Sequence, residues 1–215
     1  MQTRDYTRWN YEPLLDLIEG PFLNPKRLEE VIKLSKFIKR LMSFFHPLSH
    51  RFSEVKKTKA NLKWVKLGCT LITTLIANPD GLKFLEKEDE LLPQISKCFA
   101  QLEPVRKLFY QLKSNTLIYA IQITGATTNS DFEVVFSKKK MEETLTVGYF
   151  EMLGVLSKNK EGLDLLDKHK IFTAFYHMTE LRSREDLIKA VVENLDYNMW
   201  VLESPFLFRS VTTFA

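Results

Sequence analysis

The chain has 215 residues, 45% of them hydrophobic and 16 of them phenylalanine, enough for a buried core in one domain or in a short array of stacked units. A charged fraction of 27% argues against disorder for most of the chain, and 7 glycines with 8 prolines are too few for a many-turned β-sandwich or barrel. The net charge of +4 is unevenly spread: residues 1–66 hold 14 Lys and Arg against 7 Asp and Glu, the remainder 17 against 20.

Trp9 to Ile18 reads as a short helix closed by Gly20-Pro21. Asn24-Pro25, an N-cap followed by proline at the first helical position, opens a longer one. Leu28, Val31, Ile32, Ile38, Leu41, Met42 and Phe45 recur at helical spacing, with Ser35 the one weak member, so a single amphipathic helix is expected from Pro25 to Phe45. His46-Pro47 ends it, because the residue before proline is pushed out of the helical region. Lys56, Lys57, Lys59, Lys63 and Lys66 follow, a lysine-rich stretch suited to diffuse electrostatics.

Two later segments align without a gap, Leu71 to Glu86 and Met152 to Asp167. The alignment matches Leu75 with Leu156, Asn78 with Asn159, and Gly81-Leu82 with Gly162-Leu163. In each, a long apolar helix ends at asparagine, a short helix starts near Gly-Leu, and a third follows (Glu90 to Leu102, Ile171 to Leu181). Long, short, long is the unit of armadillo and HEAT-like solenoids, whose units stack because none can cover its own apolar face. The expected fold is therefore an all-α α-solenoid, with units at 60–102, 140–181 and 183–215. Ser183 is the expected cap of the last, with Asp186 in the capping-box position and Leu187, Val191, Asn194 and Leu195 on one face. Residues 113–137, rich in Gly, Thr, Asn and Ser near 125–131, read as an exposed insertion. The polar start and the last stretch, Ser204 to Ala215, which reads as a helix cut off before it finishes, suggest one segment of a larger protein.

Little chemistry is written into the chain. His46 and His50 stand four apart, but Pro47 between them prevents one regular helix from presenting both to a metal. No phosphate loop, dinucleotide fingerprint or nucleophile elbow occurs. The acidic run Glu86 to Glu90 reads as a first helical turn rather than a calcium loop. Cys69 and Cys98 read as small buried thiols in a reducing compartment, an oxidised pair being the alternative. No apolar run approaches the roughly 20 residues that span a bilayer. Neither an enzyme nor a cofactor is expected.

One feature suggests a binding site. Lys36, Lys39 and Arg40 fall at i, i+3 and i+4, with Lys33 near, and Arg8 and Asn10 reach the same region if their helices pack antiparallel. Such a face is either solvated or docks an acidic protein surface or a phosphate-bearing small ligand. Nucleic acid is disfavoured, because aromatic residues do not interleave with the basic ones.

Several of these runs carry a family resemblance. Asp5-Tyr-Thr-Arg-Trp-Asn10, Phe37 to Phe45 followed by Pro47, Val65 to Cys69, Gly148 to Ser157, Gly162 to Leu166 and Leu195-Asp196-Tyr197 together resemble the middle, HEAT-like region of the Rictor family. The likeness covers nearly the whole chain except about residues 105–137 and looks fungal. It implies a large helical scaffold, a subunit of TOR complex two bound to the TOR kinase and its other subunits. It also implies roles in assembly and substrate choice, a cytoplasmic location peripheral to the plasma membrane, and no catalytic residues to carry over. Lys36 and Lys39 stand where arginines are common in the family, which disfavours bidentate phosphate recognition. The competing reading is a regulatory module whose basic pocket binds a nucleotide or an inositol phosphate.

Overall fold

The computed structural model describes residues 5–102, 134–179, 181 and 184–196. Among these residues the chain forms α1 (Tyr11–Glu19), α2 (Pro25–Leu34), α3 (Phe37–Phe45), α4 (Leu62–Ile76), α5 (Pro79–Lys87), α6 (Leu91–Ala100), α7 (Lys138–Glu143), α8 (Gly148–Leu156), α9 (Lys160–Lys168), α10 (Ile171–Thr179) and α11 (Glu185–Asn194). The fold is an all-α helical repeat.

Asparagine opens the second helix of every three-helix unit. Asn24 Oδ1 accepts from the N–H groups of Lys26 and Arg27, Asn78 Oδ1 from Asp80 at 2.9 Å, and Asn159 Oδ1 from Gly162 at 2.8 Å. Each cap satisfies backbone donors that the first helical turn leaves without partners. In the two aligned units the chain then folds back so tightly that no side chain fits. A Cβ on Gly81 would lie 2.3 Å from the Leu75 carbonyl oxygen, and one on Gly162 2.0 Å from that of Leu156. The leucine and the glycine matched in sequence are thus the two sides of one close contact, made twice.

The units stack helix on helix. α1 packs on α4, α4 on α8 and α8 on α11, forming a central row; α2 packs on α5; α3 packs on α6 and α6 on α10. The segment α1–α3 is itself a stacked unit, preceding α4–α6 and α8–α10, although it lacks the Gly-Leu signature. A 3-10 turn at Pro21–Leu23 spaces α1 from α2, so the tight glycine contact is not needed there. At the other end α11 sits close against α8, where a Cβ on Gly154 would lie 2.1 Å from the Asn194 carbonyl oxygen. The buried Ser157 hydroxyl donates to the Gly154 carbonyl and accepts from the Asp196 N–H, tying the end of α8 to the chain beyond α11.

Aromatic rings fill the junctions. Trp9, Phe44 and Trp64 join the first two units, Phe52 meets Tyr149 at 5.0 Å, and Phe99, Phe136, Phe150 and Phe175 form a second cluster. Ring contacts of this kind, edge-on, tilted or stacked, are worth about 0.5–1.5 kcal/mol each beyond the area they bury.

Two local expectations change. The single helix from Pro25 to Phe45 is two helices, broken at Ser35. Ser35 is extended (φ −127°, ψ 156°), and its hydroxyl donates to the Val31 carbonyl and accepts from the Phe37 N–H. Such local bonds offer the backbone an alternative to the helix. The break lets α3 aim Ile38, Leu41, Met42, Phe44 and Phe45 into the core on its own rotation. Next, most of the expected insertion lies outside the described residues, but its last part is packed rather than exposed, with Val135 and Phe136 buried. Ser183, the expected cap of the last unit, also lies outside them. Beside it Asp186 accepts from the Arg184 guanidinium at 2.9 and 2.7 Å, and Arg184 donates to the Phe136 carbonyl at 2.7 Å. Finally, Lys57 N–H donates to Glu143 O and Leu145 N–H to Val55 O, a short antiparallel clasp between the chain before α4 and the end of α7.

Candidate functional site

Lys36, Lys39 and Arg40 lie within two turns of one another, though not on the middle of a long helix. The break at Ser35 places them around the start of α3, with Lys36 at the N-cap and no acidic residue in the first turn. All three are exposed. The positive end of a helix dipole is an unfavourable place for cations, so this arrangement favours an anion there. Arg8 closes the turn Tyr6–Arg8, is exposed, and has Nε 3.8 Å from an Asp5 carboxylate oxygen. Asn10 is the N-cap of α1 and makes no side-chain cap bond. Trp9, between Arg8 and Asn10, has its ring 5.3 Å from that of Phe44, near the end of α3 opposite Lys36. Among the described residues no hydrogen bond joins the Asn10, Lys36 or Lys39 side chains to a neighbour.

The second lysine group is less diffuse than its composition implies. Lys63 Nζ lies 5.3 Å from the ring centroids of both Tyr11 and Trp64, so cation–π attraction fixes it between α1 and α4.

His46 has a role that no local pattern signals. Its Nε2 lies 3.0 Å from an oxygen of Asp89, which is 43 residues away and 2% exposed. The other Asp89 oxygen accepts the Leu91 N–H at 2.8 Å, capping the start of α6. The acidic run therefore does serve the first turn of a helix, and it also clasps the end of α3. Among the described residues no hydroxyl or thiol bonds the second ring nitrogen of His46.

Both cysteines are free thiols. Burial pushes Cys69 up to about 12, with Glu151 adding to it, and pushes Cys98 up to about 11. Neither is poised as a thiolate nucleophile. Among the described residues no group of three or more His, Cys, Asp or Glu could hold a metal ion, and no helix is long and apolar enough to cross a membrane.

Charge is sorted by layer. Each second helix carries both signs: Glu29 with Lys33 on α2, Asp80 and Glu86 with Lys87 on α5, Asp164 and Asp167 with Lys168 on α9. The third helices, α3, α6 and α10, contain no Asp or Glu.

Stacked three-helix units with aromatic junctions define an α-solenoid segment, a class in which long faces, not a cleft, meet other molecules. Residues 127–205 match the family model described as "Rapamycin-insensitive companion of mTOR, middle domain". The chain is 39% identical over 199 residues to "Target of rapamycin complex 2 subunit ste20" of Schizosaccharomyces pombe, covering 93% of this chain and 13% of that protein. It is 36% identical over 185 residues to "Target of rapamycin complex 2 subunit TSC11" of Saccharomyces cerevisiae, covering 86% and 11%. With "Protein pianissimo A" of Dictyostelium discoideum the figures are 33% over 197 residues, 92% and 16%. The chain belongs to the Rictor family, and it spans only a small part of the length of these relatives.

Proposed function

We propose that this chain is a non-catalytic scaffold segment of a TOR complex two subunit, holding the kinase and its other subunits in fixed relation and supporting substrate recruitment. The observation that carries this reading is the in-register stack, because displacement at one end of such a stack is passed to the next unit. Its place would be the cytoplasm, at the plasma membrane through the assembled complex. Gly154→Val in the full-length subunit tests it, since the added carbons meet the Asn194 backbone and push α11 from α8. Recovery of TOR kinase with the variant should fall severalfold. Unchanged recovery, with hydrogen exchange showing α11 displaced, would refute the reading.

A second reading is favoured by the acid-free start of α3. Arg8, Lys36, Lys39 and Arg40, with Asn10 as a polar orienter, form a site for a phosphate-bearing ligand such as a nucleotide or an inositol phosphate. ATP or inositol hexakisphosphate should raise the melting temperature of the protein but not that of the Lys36→Glu, Arg40→Glu double variant, and the rise should shrink with salt. Equal shifts in both proteins would remove the site.

A further inference from the structure

We draw no further inference here: the strongest candidate, the apolar groove between α6 and α10 lined by Phe99, Ala174 and Met178, carries none, because nothing in the structure shows what covers it.

Discussion

The layer of second helices and the layer of third helices flank the same central row, yet they treat charge in opposite ways. In the second-helix layer opposite charges meet across units: Lys33 lies 3.8 Å from Asp80, joining α2 to α5, and Lys168 lies 2.8 Å from Glu86, joining α5 to α9. These are exposed pairs, so they set register more than they add stability. In the third-helix layer the cations have no acids on their own helices to meet. The contact between units there is mainly aromatic and aliphatic, apart from the His46–Asp89 pair that joins the end of α3 to the start of α6, and Lys36, Lys39 and Lys97 are exposed. A layer whose charges are satisfied within the chain has little to offer a partner, whereas a layer with a surplus of one sign gains by meeting the other.

The largest expected effect comes from the row that both layers share. Leu75 and Leu156 are buried at matched positions, and truncating either to alanine should cost about 2–5 kcal/mol in urea unfolding. A cost near zero at both would mean that the row does not hold the layers together. Gly162→Ala should cost less, about 1–3 kcal/mol, and should act on the second-helix layer first, since its new carbon meets the Leu156 carbonyl. Exchange in α9 should quicken before exchange in α10. The reverse order would place the strain on the wrong side of the stack.

Charge removal should give the smallest effect and the sharpest contrast. Glu86→Gln should lower the melting temperature slightly at neutral pH and not in high salt, while Lys97→Gln leaves it unchanged or raises it. The pH dependence has a defined sign. The hydrogen bond from Lys168 and its charge hold the Glu86 carboxyl below its ordinary value. Its contribution is therefore present above the unfolded value and lost as pH falls through the folded one. The difference between the parent and Glu86→Gln should accordingly vanish in acid. A difference that persists there would show that Glu86 acts by packing.

Much of this was readable from residues close together in sequence. The Leu, Asn and Gly of the two aligned segments predicted the fold-back, because cap and glycine act within one turn of each other. The cluster of Lys36, Lys39 and Arg40 was likewise local. The break at Ser35 was not, since helical spacing continues through it and only the competing hydroxyl bonds turn the chain. Nor was the pairing of His46 with Asp89, which joins residues far apart through tertiary contact. The burial of Phe136 is made by Phe99, Tyr149 and Phe150, and composition pointed the other way. The sorting of charge by layer needed the stacking order before it could be seen at all.

Hydrogen exchange measured on the protein alone and within the assembled TOR complex tests the division between layers most directly. The account predicts slower exchange on α6 and α10 in the complex, with α5 and α9 unchanged. Slowing on α5 and α9 while α6 and α10 keep their rates would contradict it.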